Sequence, residues 1–426
     1  VSNSARRGNL VEIDPPRDLT IPEAGSTTAR SILSRAIGGL LSDLAALPRA
    51  AAAAIGTGIA AGNDLPAFQR AVGRALKASP GAVASAVRSP AIGALIRGLR
   101  PGRMEPAEAL LVEVMGLIGL ELARASGFSE PLRLRWLPRR LISIQGRFEI
   151  LLPENTSALV FANGRVILER GPGDPAVGID IGTLERAENE LPIQVNRPYH
   201  VIDGDLVLAL ADNNPLAMAE AHPDKSGNAV DLGGRSPGAW VSALRDALAL
   251  IERCLPDLRR EIDLYIHQFI PVGWDEQRHL SASYQEAIGT IYLSLHPSPM
   301  TMVEAVIHEF SHNKLNALFE LDEVLENAWS PLYSSPVRPD PRPLHGVLLA
   351  VHAFLPVARL YERMIELGDP RSKNAAFHKR FEQIRQVNSE GAATLLENAR
   401  PTPVGRGLID EIRRWDAYYA GYQASP

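Results

Sequence analysis

The residues of this chain best suited by type and spacing to do chemistry are those of His308-Glu309-Phe310-Ser311-His312. Imidazoles four residues apart share one face of a helix and make a ready metal-binding pair. A glutamate one position after the first lies about 100° round the axis, near enough to act on a metal-bound water. The motif H-E-x-x-H also arises by chance, and two histidines can simply be hydrogen-bonded in a helix core, so the flanking residues matter. Met302, Val303, Val306 and Ile307 before it, with Leu315, Leu318 and Phe319 after, recur at three- and four-residue intervals. That is the pattern of a helix with one buried stripe, and no Pro or Gly interrupts Thr301 to Leu325.

Two histidines need a third protein ligand, with positions left for water or substrate. The extension H-E-x-x-H-x-x-G-x-x-H would require Gly at 315 and His at 318, where this chain has Leu315 and Leu318. Glu320, Glu323 and Glu326 are possible carboxylate ligands, although an acidic helix end is usually a solvated face. Better candidates are His352 and His345, seven apart and therefore on one face of the following helix. His352 lies deep in Val351-His352-Ala353-Phe354-Leu355, where a buried imidazole wants a ligand or a hydrogen-bond partner. The other histidines have no spacing relation to the pair.

These residues must be positioned by a fold, which the composition bounds. A chain of 426 residues, 46% hydrophobic and 22% charged, suits an ordinary globular protein of two or three units. A net charge of -5 argues against nucleic acid as the main partner. The single cysteine, Cys254, excludes an intramolecular disulfide and a Cys-rich zinc site, and it fits a reducing, cytoplasmic compartment. No stretch reaches the run of roughly eighteen apolar residues a membrane span needs. No apolar signal-peptide core follows Arg6 and Arg7. A soluble, intracellular protein is expected, with no membrane partner.

The expected fold class is α+β. Residues 1 to about 25 read as an extended lead-in to a helical N-terminal region, 1–127. Within it Pro48, Pro66, Pro80, Pro90 and Pro101 should divide the chain into short helices, and Met104–Ala125 is a better one. Region 128–298 mixes strands and helices. Its strand signals include Leu141–Ile144, Phe148–Leu152, Ala158–Phe161, Val166–Leu168, Tyr199–Ile202, Leu206–Leu210, Tyr265–Ile270 and Ile288–Leu295, with a helix over Trp240–Leu258. Hairpin turns are expected at Asn163-Gly164 and Asp203-Gly204-Asp205, and a long loop over Asp212–Gly238. Region 299–426 is helical, carries a zincin-like H-E-x-x-H helix, and continues through a Pro-rich loop into helices at Leu344–Leu367 and Asn374–Asn398. Residues 128–426 are expected to act as one catalytic unit. A strand feeding a metal-binding helix is similar to zinc metalloproteases, whose edge strand holds a peptide by backbone hydrogen bonds.

A more specific likeness combines Ser281-Ala282-Ser283, Ile288–Ser294, His308–Leu315 and the Arg338-Pro339-Asp340-Pro341-Arg342-Pro343-Leu344-His345-Gly346 segment. Over roughly residues 195 to 365 the chain resembles the HExxH-type peptide-modifying proteins of ribosomal peptide natural-product clusters. That family is described as iron(II)- and 2-oxoglutarate-dependent peptide β-hydroxylases. The resemblance implies iron(II) on His308, His312 and a third ligand, 2-oxoglutarate as cosubstrate, and a precursor peptide as substrate. Such an iron centre uses three facial protein ligands, and His352 is the first choice for the third. The cosubstrate's distal carboxylate needs a planar two-pronged donor, and Arg342 or Arg338 is the natural choice. Lys314 points away from the histidine face. Two other readings stand beside this one: a zinc peptidase with Glu309 as general base, and an inert peptide-binding scaffold. Metal identity, target residue and oligomeric state are not legible in the sequence.

Overall fold

The computed structural model describes residues 18–55, 64–100, 107–187, 191–212, 214, 221–222, 225–226, 229–334 and 340–422. In chain order the helices among them are α1 (Thr28–Ile55), α2 (Asp64–Ala78), α3 (Pro80–Arg88), α4 (Pro90–Gly98), α5 (Ala107–Arg124) and α6 (Leu184–Ala187). They continue with α7 (Pro237–Cys254), α8 (Pro256–Tyr265), α9 (Pro299–Phe319), α10 (Leu344–Glu366), α11 (Ala375–Asn398) and α12 (Pro403–Gly421). Several small sheets accompany them, so the chain is mixed α+β.

Two compact units divide the chain. One comprises residues 35–245 and 266–297. It contains a four-stranded antiparallel sheet in the spatial order Leu132–Leu134, Thr156–Ala162, Arg165–Arg170, Val177–Asp180. A three-stranded antiparallel sheet joins Arg140–Ser143, Phe148–Leu151 and Gln194–Asn196. In the five-stranded sheet Gln268–Trp274 runs parallel to both Thr290–Leu295 and Leu206–Ala209, and the outer pairs are antiparallel. Thr290–Leu295 is buried throughout and flanked on its other side by Ser281–Ala282, so it is not the open edge strand of a peptidase. Leu111, Val114, Leu117, Ile118 and Leu122 of α5 face this unit's core. The Asn163-Gly164 and Asp203–Asp205 turns form as expected, with Gly164 at φ 70°.

The other unit comprises residues 18–34, 246–265 and 298–422 among those described. Here α9 packs on α10 and α10 on α11. Tyr361 donates to Glu304 Oε1 at 2.5 Å near one end of the α9–α10 contact, and Phe319 meets His345 near the other. The two helices therefore run antiparallel. At Gly405 a Cβ would lie 1.8 Å from Val324 O, so only glycine lets the first turn of α12 approach the turn after α9.

Several expectations need correction. Pro48 does not break α1, which runs on to Ile55, while Pro80 and Pro90 each open a helix as proline can. Pro101 lies outside the described residues. The helix expected over Trp240–Leu258 is two, α7 and α8, separated at Leu255 before Pro256. Tyr265 ends α8 instead of starting a strand. Asp18 to Ile21, read as part of an extended lead-in, are buried. α12 lies in the region expected to be helical, although no separate helix was expected there. α10 is long and apolar enough to cross a membrane by average hydropathy, because its polar residues are few. Since 72% of its most apolar window is buried inside the fold, a core helix accounts for it.

Candidate metal centre

Ser298 caps α9, its Oγ accepting from the Thr301 N–H at 3.3 Å, and Pro299 occupies the first turn. The expected single buried stripe is too modest. From Thr301 to Leu318 only Thr301, Glu304, His308 and His312 are not buried, and these recur every three or four residues. The one accessible stripe of a helix otherwise buried all round is the stripe that carries both histidines.

On it His308 and His312 bring their Nε2 atoms to 2.9 Å, with ring centroids 4.4 Å apart and nearly perpendicular. Glu309 is buried at 2% exposure, and donor atoms of His308, Glu309 and His312 all lie within 4.8 Å of one another. Among the described residues no other three His, Cys, Asp or Glu side chains gather in this way. Phe354 of α10 packs against the His308 ring at 4.8 Å. Burial, then the nearby His345, lowers the His312 pKa to about 4. The ring is neutral at pH 7, with a lone pair available to a cation.

The two candidate third ligands sit differently. His345 opens α10, its backbone N–H bonded to Ala328 O at 2.9 Å. Its ring lies against Trp329 at 4.4 Å and Phe319 at 4.7 Å, and burial lowers its pKa to about 4. His352 is 1% exposed, and its Nε2 donates to Leu19 O at 2.9 Å. Burial is the main cause that lowers its pKa to about 3, with Lys314, His312 and His308 acting the same way. One heptad back from Phe319 is His312, and one heptad on from His345 is His352. In an antiparallel pair both steps run the same way, so His312 and His352 are level with each other. His352 is nonetheless outside the 4.8 Å set.

Of the other expected residues, Arg342 lies in the two-residue strand Arg342–Pro343, paired with Leu332–Tyr333. Its guanidinium is half-exposed and 3.2 Å from the Asp340 carboxylate. Arg338 lies outside the described residues. Glu323 and Glu326 are exposed. Lys314 is on the far side of α9 and buried, its Nζ 2.8 Å from both Glu261 Oε2 and Asp18 O. Sequence reasoning missed the rings that seat the histidines, Phe354 and Trp329, and the Leu19 carbonyl. Apolar rings at helical spacing read as core, and a backbone carbonyl has no sequence signal. Compared with protein-family models the chain matches none, and no curated protein matches it either.

Proposed function

We propose that this chain is an iron(II)- and 2-oxoglutarate-dependent oxygenase that β-hydroxylates a side chain of a ribosomally made precursor peptide. The observation that carries the metal part is the 2.9 Å Nε2–Nε2 approach on the only accessible stripe of α9. Neutral imidazoles are donors that suit iron(II), and equally zinc. With 2-oxoglutarate bound, iron(II) supplies the oxidation by O2 that turns a C–H bond into C–OH, releasing succinate and carbon dioxide. His308 and His312 would hold the metal through Nε2, with His352 as the third protein ligand. Arg342 pairs with the cosubstrate's distal carboxylate in exchange for Asp340, with Arg338 as the other candidate anchor. Glu309, beside the pair, would orient a ligand or water at the metal. The H-E-x-x-H helix is zincin-like in this reading, and the buried Cys254 is in keeping with a reducing cytoplasm.

A zinc peptidase is the second reading, favoured by the closeness of Glu309 to the histidine pair. The interior position of Thr290–Leu295 counts against it. Anaerobic loading with iron(II), followed by 2-oxoglutarate, should give a metal-to-ligand charge-transfer band. Oxygen and a precursor peptide should then give a product heavier by one oxygen atom. Two peptide fragments would establish the peptidase, and neither oxygen consumption nor cleavage with any peptide would favour the inert scaffold.

A further inference from the structure

Asp18 to Ile21 form a strap whose exposures are 7, 1, 1 and 7% in order. A buried backbone must satisfy its polar groups, and strands do so by pairing. This strap does so through side chains from three helices. Glu411 of α12 accepts from the N–H groups of Leu19 at 2.7 Å, Thr20 at 3.0 Å and Ile21 at 3.4 Å, and from the Thr20 hydroxyl. Lys314 of α9 donates to Asp18 O at 2.8 Å. His352 of α10 donates to Leu19 O at 2.9 Å.

The last contact fixes a proton. A carbonyl only accepts, so the hydrogen must be on His352 Nε2, and in a neutral ring Nδ1 then carries the lone pair. That Nδ1 is buried and has no hydrogen-bond partner. An imidazole that binds a metal through one nitrogen characteristically gives its other N–H to a carbonyl or carboxylate, which sets its tautomer and orientation. We infer that the strap is a positioning element of the metal centre: Glu411 holds Leu19, and the Leu19 carbonyl holds His352 with Nδ1 ready to bind the metal. This rests on reading His308 and His312 as the metal pair, and it adds that ligation draws Nδ1 onto that pair.

The test uses the full chain with 15N-labelled histidine and zinc(II) as a diamagnetic probe. In the metal-free protein the His352 signals, identified by their loss in His352→Gln, should show the Nε2–H tautomer. One equivalent of zinc should move His352 Nδ1, together with His308 and His312 Nε2, to the metal-bound range. Glu411→Gln, which keeps the shape but loosens the strap, should weaken zinc binding about 10–100-fold at an unchanged circular dichroism spectrum. Should that variant fail to fold, Thr20→Val removes a single donor to Glu411 and should weaken binding several-fold. An Nδ1–H tautomer, an unmoved His352 while the pair shifts, or parental affinity in a folded strap variant would each overturn the inference and leave the metal pair standing. A parent chain whose histidines ignore zinc would overturn both.

Discussion

Ring nitrogens 2.9 Å apart can share one proton or one cation, and His308 and His312 can be asked which. A shared proton is a local hydrogen bond; a shared cation needs both lone pairs. Replacing either histidine with alanine should therefore abolish stoichiometric iron after anaerobic reconstitution, measured by elemental analysis. Undiminished metal in either variant would reduce the pair to a core hydrogen bond. Glu309 separates the chemistries at the same centre. As a general base on zinc-bound water its loss in Glu309→Gln should cost about 10²–10⁴-fold in turnover with metal retained. As a residue that only holds a water in an oxygenase, the same change should leave hydroxylation measurable by product mass. At this scale the sequence was informative where chemistry follows helical spacing, as for His308, Glu309 and His312. It was silent where the partner is backbone, as at Leu19.

Between helices, α9 is tied to α8 by the buried Lys314–Glu261 pair, 2.8 Å long with side-chain exposures of 1 and 8%. Burial pushes the Glu261 carboxyl up, and Lys314 opposes that push. Lys314→Met strands a buried carboxylate and should cost about 3–5 kcal/mol in urea unfolding. Adding Glu261→Leu should recover part of that loss, because no charge is then left buried alone. The Asp18 carbonyl, deprived of its donor, should keep about 1–3 kcal/mol unrecovered. A single variant as stable as the parent would show that the ammonium is not buried as described. Elements whose apolar residues keep a 3.6 period, α5, α9, α10 and α11, were legible from sequence, as were the hairpins at Gly164 and Gly204. The strap was not, because its fixing groups come from side chains up to 392 positions away. Pro48 misled because a proline inside a helix reads as a stop, and Pro256 because a break of one residue hides inside a continuous apolar pattern.

Across the whole chain, the described residues include five imidazoles that the fold holds neutral. His267 is lowered to about 3 and His279 to about 4 in one unit, mainly by burial. In the other, His312 and His345 are lowered to about 4 and His352 to about 3, again mainly by burial. An unfolded histidine titrates near 6.5, so each contributes stability that is full above about pH 6.5 and lost as pH falls toward its folded value. Two carboxyls oppose this. Burial raises Glu113 and Glu261, so the native state binds their protons first and gains stability on acidification. Asp369, held down to about 2 chiefly by its hydrogen bond from Arg371, titrates below the window in question. Between pH 7.5 and 5.5 the unfolded chain therefore gains protons at five rings against two raised carboxyls, and stability should fall with pH. The check is a urea midpoint at both pH values, with chelator present so that metal loss does not contribute and with refolding on return to pH 7.5. An equal or higher midpoint at pH 5.5 would mean that these rings reach solvent or a proton partner in the native state, and the neutral lone pairs on which the proposed metal centre rests would lose their physical basis.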